Sequence, residues 1–141
     1  MHKRRAYLEA LKAQLVASGD FLGVWIQRTP PVRNVYPCVT LFSEGETVDM
    51  QSIHPAPRPQ VRTVNVSVNA WLRGGTDPEK PEASMDDYAL SIEQTISKPA
   101  GCNDLRLIST DYREDETDPE IFVVALSYQL VYRSTESSPI A

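Results

Sequence analysis

An α+β fold, with two helices packed on one face of a mixed, mostly antiparallel sheet, is what this sequence predicts, and three observations carry that expectation. Leu8, Leu11 and Leu15 recur at helical spacing. Val64, Val66, Val68, Ala70 and Leu72 alternate with Asn65, Ser67, Asn69, Trp71 and Arg73, the period of a strand with one buried face. Met85, Ala89, Ile92 and Ile96 form a second helical stripe. The resulting order is α-β-β-β-α-β-β, which two helices and one sheet satisfy as stacked layers.

Each element has its own local reason. The first helix runs from about Lys3 to Ala17 and stops at Ser18-Gly19. Lys3, Arg4 and Arg5 crowd its first turn, against the helix dipole, so packing has to hold that end. Gly23–Arg28 is a short strand closed by Thr29-Pro30-Pro31, and Tyr36-Pro37 opens a second at Cys38–Phe42. Residues 45–60, ending in alternating prolines, read as a long extended connection serving as a surface loop or an assembly arm. The third strand, from Gln60 to Leu72, places Val61 out of phase with its apolar set, which predicts a bulge near Arg62-Thr63.

The second helix follows from Glu82 to Ser97, with Pro81 before it and Pro99-Ala100-Gly101 after it. Two closing strands cover about Asp104–Tyr112 and Glu120–Arg133. In the last, Phe122, Val124, Leu126, Tyr128, Leu130 and Tyr132 share one face. Residues 1–133 are expected to form a single domain and residues 134–141 a loose tail.

The chain has 141 residues, 41% hydrophobic and 23% charged, a length that suits one domain. No apolar run approaches a bilayer span, so no membrane role is expected. No secretory signal is read at the basic start, and two cysteines without CxxC spacing point to a reduced compartment. The net charge of −5 disfavours nucleic acid. Its distribution says more. Residues 1–73 hold nine Lys+Arg against five Asp+Glu, and residues 74–141 hold five against fourteen. Opposite faces of this kind would let identical subunits meet head to tail.

No catalytic motif is found. His2 and His54 have no companion ligands, and Gly74-Gly75 reads as a turn. Cys38 lies in an apolar strand and reads as an inert buried thiol, and the sequon at Asn65 falls in mid-strand. No cofactor is expected, and a divalent cation promoting assembly is the one ligand kept in view. Asp111, Glu114, Asp115, Glu116 and Asp118, with Arg113 among them, crowd a short stretch read as a solvated hairpin loop. Docking them onto a basic surface bearing Arg4, Arg5, Arg58 and Arg62 would relieve their mutual repulsion. These ten residues are the candidate subunit and partner interface.

The order of segments resembles the tail terminator (minor tail protein U-like) family of lambda-like long-tailed phages. The resemblance runs from the first helix to about Arg133. It is carried by Leu8/Leu11/Leu15, Tyr36–Phe42, the Val64–Leu72 alternation, the Met85–Ile96 helix and Asp111-Tyr112-Arg113 with its trailing acids. The proline-rich 54–59 segment and the tail departs from the family pattern. The resemblance implies a structural virion assembly protein, not an enzyme. It would form a ring, typically hexameric, on the end of the tail tube, stopping polymerisation and presenting the head-attachment surface. Its partners would be its own copies, the tail tube protein and a head-completion or neck protein. Its place would be the end of the virion tail facing the head, after a period in the host cytoplasm. The alternatives are a head-completion (head–tail connector) protein and, in another class, a small-molecule-binding α+β domain.

Overall fold

Alternation along the central strands dictates the layering. The computed structural model describes residues 3–27, 35–50, 59–73, 80–114 and 120–135. Helix α1 is Lys3–Ser18, followed by β1 (Gly23–Ile26), β2 (Cys38–Met50), β3 (Pro59–Arg73), α2 (Lys80–Thr95), β4 (Asp104–Glu114) and β5 (Ile121–Thr135). One sheet holds all five strands in the order β1-β2-β3-β5-β4. Only β1 and β2 run parallel; the other neighbours are antiparallel. The α+β class and its element order are those the sequence predicts.

The helix-side face is built by register. Val64, Val66, Val68, Ala70 and Leu72 stand opposite Leu130, Tyr128, Leu126, Val124 and Phe122. Val39 and Leu41 extend the same face through β2, and Val24 through β1. Onto it α1 lays Tyr7, Leu8, Leu11 and Leu15, and α2 lays Met85, Ala89 and Ile92, in one continuous core. Burying such side chains contributes about 1.5–3 kcal/mol each. Gly19 takes φ +74° just past α1, the left-handed conformation that ends a helix at little cost for glycine.

The opposite face is not uniformly open. Cys38, Trp71, Ile121 and Val123 form a second buried cluster, with Trp25 and Tyr36 packed against it. Trp71 donates its indole N–H to Thr40 Oγ1 at 2.9 Å. Ser67, Asn69 and Ala125 are buried on that face as well, so β3 and β5 are covered on both sides from Ser67 to Trp71 and from Ile121 to Ala125.

Four boundaries differ from expectation. β2 does not stop at Phe42 but continues to Met50, paired with β3 as far as Gln60, so the expected 45–60 connection shrinks to residues 51–58, outside the described residues. The pairing of a long hairpin here overrides the weak strand propensity of Ser43-Glu44-Gly45-Glu46. The bulge is not at Arg62-Thr63: β3 runs without a register shift, and the irregularities lie between Ser43 and Gly45 of β2 and between Leu107 and Ser109 of β4. Helix α2 begins and ends two residues earlier than Glu82–Ser97. Ser134 and Thr135, expected in the tail, belong to β5, and Ser134 is buried. Residues 136–141 lie outside the described residues.

Candidate assembly interface

The two lateral borders of the sheet are the surfaces left over once the core is formed. On the first, β1 ends at Ile26 while β2 continues. Above this step lies the first turn of α1. Arg4, Arg5 and Leu8 of the helix, Ile26 of β1 with Gln27 just after it, and Phe42 and Ser43 of β2 line a cavity of about 260 Å³. The cations that oppose the helix dipole find partners in the fold. Lys3 Nζ donates to the Arg133 carbonyl at 3.0 Å. Arg4 lies 3.8 Å from Glu46, and Arg5 3.1 Å from Glu9 one turn on.

Past the apolar core, the helix-side face becomes polar. The β2 bulge reverses the strand's phase, turning Glu46 inward opposite Val64 and beside Arg62. Arg62 donates from Nη1 to Glu46 at 3.2 Å, from Nη2 to Gln60 at 3.1 Å and from Nε to Ser134 Oγ at 2.9 Å. Tyr132 donates its hydroxyl to the same Glu46 carboxylate. Burial, and then that carboxylate, push the Tyr132 phenol above its ordinary range.

The second border is β4 with α2 above it. The β4 bulge expels Ile108, 57% exposed, and returns Tyr112 to the helix side opposite Val124. Asp86 and Glu93 of α2 lie close enough to act on Tyr112; burial, then these two carboxylates, raise its phenol. Leu90 lies between Asp86 and Glu93 on that helix and is 52% exposed. This border is acidic and studded with apolar side chains.

Of the expected interface residues, Arg4 and Arg5 share the α1 cavity. Arg62 is not part of that surface: its side chain is only 13% exposed and is held by Glu46, Gln60 and Ser134. Asp111, Arg113 and Glu114 sit in β4 itself, not in a loop, with Asp111 and Arg113 opposite Ala125 and Val123 on the face away from the helices. Arg58, Asp115, Glu116 and Asp118 lie outside the described residues. Sequence reasoning missed Glu46, Leu90, Ile108 and Tyr112. Tyr112 stood next to a named residue, but only the bulge decides which face it joins.

Both cysteines are free and buried. Burial drives the Cys38 thiol up to about 12. Burial also raises Cys102, whose Sγ–H reaches the carbonyls of Asp104 and Val131 at 3.0 and 3.2 Å. Neither has the lowered pKa that a nucleophilic or metal-binding thiol needs. Among the described residues, no three His, Cys, Asp or Glu side chains come together as metal ligands.

No protein-family profile matches the chain, and no curated protein sequence matches it. A solved structure does. The chain aligns with one from the "Virion of native gene transfer agent (GTA) particle" over 93% of its own length and 98% of the other, with a TM-score of 0.55. The two share a fold. At 16% sequence identity, the likeness is one of architecture.

Proposed function

We propose that this chain is a structural protein of a tailed-phage-type virion whose copies close into a ring on the end of the tail tube. The ring, hexameric by the family resemblance, ends tube growth and offers the head-completion or neck protein its seat. Its place is the end of the tail facing the head, and before assembly the subunits reside in the host cytoplasm. The observation that carries this reading is the fold shared end to end with a chain of a gene transfer agent virion.

The borders support it. One is the step where β1 stops and β2 continues; the other is the eleven-residue strand β4. Two unlike surfaces on opposite sides make a heterologous contact, which gives rings when its rotation closes. Lateral strands with unused backbone groups are also natural places for another chain to join.

Electron microscopy of the purified protein mixed with isolated tail tubes tests the proposal, with particle mass measured in parallel, with and without a divalent cation. Annular particles seated on tube ends, and tubes that no longer elongate, are expected. Binding to head connectors but never to tubes would overturn the assignment in favour of a neck protein. Monomers under every condition would overturn the ring.

A further inference from the structure

The two borders also differ in sign. Helix α1 carries Lys3, Arg4, Arg5 and Lys12 against the single carboxylate of Glu9. Among its described side chains, helix α2 carries Asp86, Asp87 and Glu93 and no cation. α1 packs over β1 and β2, whereas α2 packs over β3, β5 and β4, so the charges are separated across the width of the sheet. Each border also exposes or opens onto apolar surface: Leu8 and Ile26 in the cavity, and Leu90 and Tyr112 on the acidic side.

We infer that the Arg4/Arg5 cavity of one copy receives the α2/β4 border of the next, with Leu90 and Tyr112 entering between the arginines and the Leu8–Ile26 floor. The inference rests on the ring reading only in taking a second copy of this chain as the occupant. Two basic borders repel, as do two acidic ones, so a two-fold contact of like with like is disfavoured and a head-to-tail contact is favoured. Arg5 would exchange its exposed contact with Glu9, worth little in water, for a desolvated one with Glu93 or Asp86.

Register adds a geometric argument. Ile26 pairs with Leu41, which stands opposite Val68; Tyr112 stands opposite Val124, which faces Ala70. The two patches are therefore only two residues apart along β3, roughly 7 Å. Copies joined at nearly equal height add by rotation with little rise, the condition for closure into a ring instead of a filament.

The test is a charge swap on the intact chain, read by sedimentation at low and high salt, with circular dichroism to confirm folding. Arg5 and Glu93 are both exposed in the subunit, so Arg5→Glu and Glu93→Arg leave the fold intact. Each alone is expected to weaken self-association about tenfold or more, and the double variant to regain it. Leu90→Ser weakens it without altering the salt dependence. Association unchanged in the single variants, or no recovery in the double, overturns the docking, and annuli still capping tubes would then leave the ring reading standing. Association that follows the swap in particles that never bind a tube end supports the docking and removes the proposed function instead.

Discussion

The Arg62 guanidinium lies 3.2 Å from the Glu46 carboxylate, with both side chains almost wholly buried, at the point where the helix-side core gives way to polar side chains. The pair exists because the β2 bulge turns Glu46 inward while Arg62 keeps the phase of Val64. Breaking one half strands a buried charge. Glu46→Ala is expected to destabilise the fold by about 3 kcal/mol, the low end for a broken buried pair, since Tyr132 loses its acceptor and Arg62 keeps only Gln60 and Ser134. Replacing both residues with Leu and Met, which removes both charges, is expected to cost far less. Urea unfolding of the three variants checks this; equal losses in the single and double variants would refute it.

Leu11 has no exposed surface and lies in the core that joins α1 to the sheet. Leu11→Ala removes three methyl or methylene groups from a site whose neighbours are held by strand register, so little collapse into the cavity is expected. The cost is about 2–5 kcal/mol, measurable as a lower urea midpoint at unchanged slope. Val16, 58% exposed on the same helix, is the control: Val16→Ala stays within about 0.5 kcal/mol.

Trp71 Nε1–H and Thr40 Oγ1, 2.9 Å apart and buried, link β3 to β2 on the face away from the helices. Trp71→Phe leaves the Thr40 hydroxyl without this donor and is expected to cost about 1–3 kcal/mol beyond the lost ring area. Thr40→Val added to it should recover part of that loss, because the orphaned hydroxyl is then gone. A double-mutant cycle by urea unfolding gives the coupling, and strict additivity would show that the bond contributes nothing.

What the sequence made legible was whatever one face of one element decides. The Val64–Leu72 alternation, the Phe122–Tyr132 alternation and both helical stripes reappear as the inward sets of β3, β5, α1 and α2. What it concealed depends on a neighbour. Ser43-Glu44-Gly45-Glu46 has no strand character of its own and is extended because β3 lies beside it. Arg62 looked like a free cation until Glu46 was turned toward it. Ile121 and Val123 lie outside the alternating inward set of β5, yet Trp71 and Trp25 pack with them on the face away from the helices. At the candidate interface, Arg4 and Arg5 were legible as charge, whereas Leu90 and Tyr112 needed the helix-to-strand packing that places them on one border.

Buried acids of the thiol and phenol type set the alkaline limit of the fold. Burial raises Cys38 from 9.0 to about 12 and Tyr128 from 10.0 to about 12, with the Glu93 charge adding to the latter, and Tyr132 moves the same way. Above pH 9.0 the unfolded chain therefore releases protons that the folded chain retains. Since stability falls with rising pH wherever the unfolded state binds fewer protons, these groups cost nothing below pH 9.0 and progressively weaken the fold up to about pH 12. Urea midpoints taken at steps through that window should decline, with loss starting at the thiol's onset and steepening once phenols titrate. Cys38→Ala is expected to reduce the earliest part of the decline, in which the raised Cys102 thiol also shares, and to leave the later part, which belongs to the tyrosines. The tyrosinate absorbance of Tyr128 and Tyr132 should then appear together with unfolding and not before it. Identical pH profiles for Cys38→Ala and the unaltered chain would show that the thiol ionises in place, without the burial penalty assigned to it.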